Sequence, residues 1–196
     1  ISLFLYMNMK TNFLNKKLGI LGGGQLGKML IHVTIKWSIE TYILDPNPDC
    51  PASNCCDFFF KGDFNNYQDV YNFGKKVDII TIEIEHVNVE ALYRLEKEGI
   101  EVFPSPSNIE LIQNKGIQKD FFKKNKIPTS DYKRFDNKKS VSKYIFKTKS
   151  KYPFIWKSET MGYDGKGVKL VQSFSDLDEI NESSCVMEEF VDIKHE

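Results

Sequence analysis

Residues 18–30 read LGILGGGQLGKML, and they place Gly22, Gly24 and Gly27 in G-x-G-x-x-G spacing directly after an apolar run. Few local folds accept that pattern. Leu18, Ile20 and Leu21 suit a buried strand, while Leu26, Met29, Leu30 and Val33 recur at helical spacing and predict one apolar helix face. Glycines at such a junction permit a tight turn, close approach of backbone to a ligand, and close packing of helix on strand. The helix start then offers N–H groups and a positive dipole end to an anion. Asp45 closes a second apolar segment, TYILD, where a dinucleotide-binding unit keeps its ribose-binding acid. A Rossmann-like βαβ start follows from these residues. The identity of the anion does not, and NAD is one option among several.

The alternation continues along the chain. The pattern predicts strands at KLGIL, TYILD, FFFKGD, DIITIEIE and IEVFP, and helices at Gln25 to about Lys36, NYQDVYNFGKKV and NVEALYRLEKEG, the last stopped by Gly99. Strands alternating with helices give an α/β class with a parallel, doubly wound sheet. The character changes at PSPSNIELIQNKGIQKDFFKKNKIP, which predicts a helical pair with Lys115 between its members. A lysine-rich helix (about 138–147) follows, then strands at YPFIWKS, VKLVQS and SCVMEEFV. The predicted organisation is a leader at 1–15, a Rossmann-like domain at 16–106 and a second, incomplete domain at 107–196. The first residue is Ile and the last stretch, EEFVDIKHE, stops in mid-pattern, which reads as a fragment. SCVMEEFV is expected to be left as an apolar sheet edge.

Lys and Arg number 27 and Asp and Glu 27, so no electrostatic footprint for nucleic acid or an anionic membrane exists. ISLFLYM is too short to span a bilayer and has neither the charged start nor the cleavage site of a signal peptide. Cys50, Cys55, Cys56 and Cys185 form no C-x-x-C pair and have no histidine at zinc spacing. Free thiols in a reducing cytoplasm are expected, with no metal held by this chain.

The second glycine loop, GYDGKG at 162–167, lacks the P-loop pattern and lies between two predicted strands. It reads as a flap in a hairpin, suited to covering a polyphosphate with backbone N–H groups. Lys157 ends the apolar strand before it, and a buried ammonium there asks for an anion. A plain hairpin with a surface lysine fits the same spacing.

With these segments in order, the chain resembles the 5-(carboxyamino)imidazole ribonucleotide synthase family of ATP-grasp enzymes. The resemblance rests on KLGILGGGQLGKML, LDPNPDCPA, GDF, TIEIEHV, PSP, IQNKGIQK, IP, WKSETMGYDGKGV and EEFV, and it covers residues 17–196. It implies a pre-ATP-grasp domain followed by the first part of an ATP-grasp domain. The implied reaction makes carboxyphosphate from ATP and bicarbonate and carboxylates the amine of 5-aminoimidazole ribonucleotide, in purine biosynthesis. On this resemblance the first glycine loop (Gly23, Gly24, Gln25, Leu26) faces the ribonucleotide rather than NAD. Glu83 and Glu85, two apart on one predicted strand, share a face at its carboxyl end, where they either border the substrate cleft or stand as solvated edge acids.

By resemblance, Lys115 and Lys157 contact ATP phosphates, and Gly162, Tyr163, Asp164, Gly165, Lys166, Gly167 and Val168 form the flap. Tyr163 and Asp164 lie near the aminoimidazole, with Asp164 a candidate to orient the amine or accept its proton. Glu188, Glu189, Phe190 and Val191 match the hinge that reads adenine, and Glu196 the acid that holds the ribose. Met161 and Val168 depart from the family's usual glycine and glutamine. The magnesium ligands and the phosphate-binding basic residues are expected beyond Glu196, so this chain alone is expected to be inactive, and the full-length enzyme a homodimer. The rival readings are a formate-dependent glycinamide ribonucleotide transformylase, which typically has Glu where Gln25 stands, and an NAD-binding oxidoreductase.

Overall fold

A computed structural model describes residues 16–148, 152–160, 167–192 and 194. The chain divides into two compact units between Glu110 and Leu111.

In the first unit the chain runs β1 (Lys17–Leu21), α1 (Gln25–Thr34), a 3-10 turn (Ile35–Trp37), β2 (Glu40–Asp45) and β3 (Phe58–Lys61). It continues through α2 (Tyr67–Gly74), β4 (Ile79–Ile82), α3 (Val89–Lys97), β5 (Glu101–Phe103) and α4 (Pro106–Gln113). The strands form one sheet in the order β3-β2-β1-β4-β5, and every neighbouring pair is parallel. Helix starts follow local chemistry: the Asn66 side chain accepts from the N–H groups of Gln68 and Asp69, and Asn88 accepts from Ala91. Gly99, at φ 92°, ends the turn after α3 in a conformation closed to most side chains. Val70, Phe73, Ile80, Leu92 and Leu95 fill one sheet face; Ile20, Ile31, Ile43 and Ala52 fill the other.

Two expectations fail here. Helix α1 does not bury Leu26, Met29 and Val33, which are more than half exposed. It buries Gly27, Ile31 and Thr34 instead, with Leu30 partly covered. The reason lies in Gly27: a Cβ there would stand 2.7 Å from the Gly22 carbonyl oxygen, so the bare glycine lets the backbones touch and sets the inward face. Met29→Lys should therefore change stability by less than about 0.5 kcal/mol. Ile31→Val, by contrast, should cost about 0.5–1.5 kcal/mol. Urea denaturation of the two variants checks the orientation. Strand β4 is also shorter than DIITIEIE predicts, ending at Ile82. Beyond it Glu83 N–H still donates to Leu21 O at 2.9 Å, but the chain then bends, so Glu83 and Glu85 share no strand face.

The second unit holds α5 (Lys115–Lys124), β6 (Tyr132–Phe135), α6 (Lys138–Thr148), β7 (Phe154–Ser158), β8 (Val168–Val171), a 3-10 turn (Phe174–Glu179) and β9 (Cys185–Glu189). Its sheet runs β6-β9-β7-β8 with antiparallel neighbours. Strand β9 is thus interior, not the bare edge expected from its position late in the chain. It enters between β6 and β7 and pairs with both. Phe154, Trp156 and Cys185 alternate inward to meet Val141 and Ile145 of α6, and the opposite sheet face carries the polar groups. No described helix is long and apolar enough to cross a membrane.

Candidate functional site

Two backbone N–H groups in the glycine loop of the first unit are taken by its own chain. Asp45 accepts from Gly23 N–H at 2.7 Å through one oxygen and from Asn47 N–H at 2.8 Å through the other. The Gly23 carbonyl accepts from Ala52 N–H at 2.9 Å, and a Cβ on Gly23 would strike Cys50 Sγ. Gly22 has φ 96°, and a Cβ there would strike the Glu83 carboxylate. That carboxylate also accepts from Gly24 N–H; its burial raises its pKa, the Gly24 bond opposes the rise, and the charge of Asp45 adds to it. Asp45 and Glu83 thus take the N–H groups of Gly23 and Gly24, while no side chain caps the start of α1 itself. Asp45, buried and engaged with the loop, does not present the free carboxylate that a dinucleotide ribose needs. Gly23, Gly24 and Glu83 do come together, whereas Gln25 and Leu26 start α1 with exposed side chains. All four cysteines are free thiols.

The second unit assembles a charged cluster on the sheet face away from α6. Lys157 and Glu188 share that face because β7 pairs with β9 in the register Ile155↔Glu188 and Lys157↔Val186. Lys157 Nζ lies 3.1 Å from Glu188 Oε2. Lys119 Nζ, from α5, lies 3.1 Å from the same oxygen. It also donates to Thr129 Oγ1 at 2.6 Å and Ser130 Oγ at 2.9 Å, while Ser130 Oγ donates to Glu188 Oε2 at 3.0 Å. The Glu188 side chain is only 6% exposed. Burial opposes its ionisation, but the hydrogen bonds from Lys119 and Lys157 prevail and hold its pKa below the usual carboxylate range. Two ammonium groups against one carboxylate leave net positive charge. Glu188 Oε1 is buried without a hydrogen-bond partner among the described residues.

Around this cluster the predicted residues fall into two places. Glu188, Glu189 and Phe190 line a cleft of about 830 Å³ that Thr129, Ser130 and Tyr132 border. Val191, just beyond it in sequence, is exposed. Lys115 begins α5, capped by Asn114, and its backbone N–H donates to the Glu159 carbonyl at 2.9 Å. That bond brings it to the chain leaving β7, two residues after Lys157. Strands β7 and β8 form the expected hairpin, with Lys157 opposite Val168 and Gly167 at φ 74°. Gly162, Tyr163, Asp164, Gly165, Lys166 and Glu196 lie outside the described residues, as does Met161. Sequence reading missed Lys119, Arg134 and Glu159. Lys119 had a signal, since it stands four residues after Lys115 within IQNKGIQK and so shares its helix face.

Residues 15–113 match the family described as ribonucleotide synthetase preATP-grasp domain. The chain belongs to this preATP-grasp family. Residues 120–196 match the ATP-grasp domain, so a preATP-grasp unit precedes ATP-grasp sequence. Among its relatives is a phosphoribosylaminoimidazole carboxylase of Candida glabrata, 40% identical over 171 residues that cover 84% of this chain and 29% of that protein. An N5-carboxyaminoimidazole ribonucleotide synthase of Staphylococcus epidermidis is 32% identical over 197 residues, covering 97% of this chain and 51% of that protein. The solved N5-carboxyaminoimidazole synthase of Aspergillus clavatus, in complex with ADP and 5-aminoimidazole ribonucleotide, superposes with a TM-score of 0.80. It is 29% identical, covering 93% of this chain and 48% of that one. The preATP-grasp chain thus spans about half the length of these synthases and under a third of the carboxylase.

Proposed function

We propose that this chain carries the nucleotide-handling part of an ATP-dependent 5-aminoimidazole ribonucleotide carboxylase. The observation that carries the reading is the convergence of Lys119 and Lys157 on one oxygen of buried Glu188, beside a glycine hairpin and a cleft lined by the hinge. The excess positive charge suits a polyphosphate. Lys157, 29% exposed, is the ammonium with room to reach one. Lys115 supplies the second phosphate contact from the start of α5. Residues 162–168 are assigned to the phosphates, and Glu188, Glu189, Phe190 and Val191 to the adenine. Glu188 Oε1, without a hydrogen-bond partner among the described residues, is a ready acceptor for an exocyclic amino group.

In the reaction a bicarbonate oxygen attacks the γ-phosphorus and ADP leaves, giving carboxyphosphate. The aminoimidazole amine then attacks the carboxyl carbon, its proton passing to a base for which Asp164 is the candidate, and phosphate leaves. The two ammonium groups balance charge on the transferred phosphoryl group. Gly23, Gly24, Gln25, Leu26 and Glu83 are assigned to the ribonucleotide, and Glu196 to the ATP ribose. Among the described residues no group of three His, Cys, Asp or Glu is placed to hold a metal ion. Homodimeric assembly and a cytoplasmic location belong to the same reading, the free thiols favouring a reducing compartment.

The gene product carrying this sequence should release ADP only with magnesium and bicarbonate, and faster with 5-aminoimidazole ribonucleotide. Formate-dependent turnover with glycinamide ribonucleotide would move it to the transformylase reading.

A further inference from the structure

Arg134 stands on edge strand β6, yet its guanidinium reaches past β9 to the chain that leaves β7. Nε donates to Glu159 Oε1 at 2.6 Å and Nη2 to Glu159 Oε2 at 2.9 Å, a two-pronged pair. Nη1 donates to Asp120 Oδ2 of α5 at 2.6 Å, and Tyr132 OH donates to the other Asp120 oxygen at 2.7 Å. Glu159 is buried, with its side chain 6% exposed. Its backbone is fixed on both sides: the carbonyl accepts from Lys115 N–H, and its own N–H donates to Ser184 O at 3.0 Å. One guanidinium therefore joins β6, α5 and the residue from which the second glycine loop departs.

Gly116 carries an independent mark of the same arrangement. It sits in the first turn of α5, where a glycine costs helix stability, roughly 1 kcal/mol relative to alanine. A Cβ there would stand 2.3 Å from Glu159 Oε1 and 2.4 Å from Arg134 Nε. The helix thus forgoes a better residue at the one spot where the ion pair presses on its backbone. An ion pair kept only for stability has no such need, since an apolar pair of similar volume often serves equally well.

We infer that Arg134 and Glu159 are positioning residues that clamp the start of α5, with Lys115, against the chain leaving β7 and so set nucleotide affinity. The inference rests on the nucleotide reading proposed above. The clamp acts through Lys115, touching no reacting atom itself. A planar guanidinium satisfying both carboxylate oxygens fixes orientation as well as distance, which a lysine in the same place would not.

The test compares ATP affinity, by titration calorimetry, with the nucleotide-free melting temperature in the gene product carrying this sequence. Arg134→Met/Glu159→Met removes both charges together, so no buried charge is left unpaired and the fold should survive. It should melt within a few degrees of wild type and bind ATP about tenfold more weakly. Gly116→Ala presses a Cβ to 2.3 Å from Glu159 Oε1, so it should lower the melting temperature somewhat and weaken ATP binding several-fold at temperatures where the protein is still fully folded, a loss that a purely structural role does not produce. Wild-type affinity in both variants would overturn the clamp while the nucleotide reading stands. Affinity lost only in step with unfolding would also overturn it. A wild-type protein that binds no ATP would remove the nucleotide reading, and the clamp with it.

Discussion

Lys157→Ala is expected to lower ADP-forming turnover of the gene product carrying this sequence by at least tenfold, about 1.4 kcal/mol of transition-state stabilisation. A fixed ammonium facing a phosphoryl oxygen in a closed site readily supplies that much. The geometry also separates this loss from damage to the fold. With Lys157 gone, Glu188 keeps its partners Lys119 at 3.1 Å and Ser130 at 3.0 Å, so no buried charge is stranded. The substituted position lies on the polar sheet face, away from the Trp156 and Phe154 core. Thermal melting should move little while turnover falls. Wild-type rates would return Lys157 to the role of an ordinary hairpin lysine.

Glu188→Ala has the larger expected effect on stability. It removes the one carboxylate that Lys119 and Lys157 share, and the Lys119 side chain is only 11% exposed. Breaking such a pair from one side typically costs about 3–5 kcal/mol, because the remaining ammonium groups face each other without a counter-charge. Urea denaturation at pH 7 should place the loss in that range. The pH dependence follows from the lowered pKa of Glu188. Its contribution is fully present above the unfolded carboxyl value near 4.5 and disappears as pH falls through the lower folded value. The gap between wild type and Glu188→Ala should therefore narrow below about pH 4.5. A gap independent of pH would mean that the cluster is held by packing rather than by charge.

Much of the molecule was legible locally. Strand–helix alternation gave the parallel sheet of the first unit, because periodicity of 2 or 3.6 residues is fixed by the backbone itself. Lys157 lies in the strand FIWKS as expected, but on the face opposite the Trp156 core and partly exposed rather than buried. The flap's place in a hairpin followed from glycines between two apolar runs.

The sequence by itself thus determined which segments are strands and helices and where the glycine loops fall. Only the tertiary structure decided which face of α1 turns inward, since that depends on Gly27 meeting the Gly22 carbonyl. It also decided that β9 enters the sheet between β6 and β7, and that Asp45 and Glu83 take the N–H groups of Gly23 and Gly24. The clusters around Glu188 and Arg134 belong to the same class. Their partners stand 25 residues apart at Arg134–Glu159 and 58 at Ser130–Glu188. Contacts at such separation leave no periodic trace in a sequence; they exist only once packing has brought the strands together.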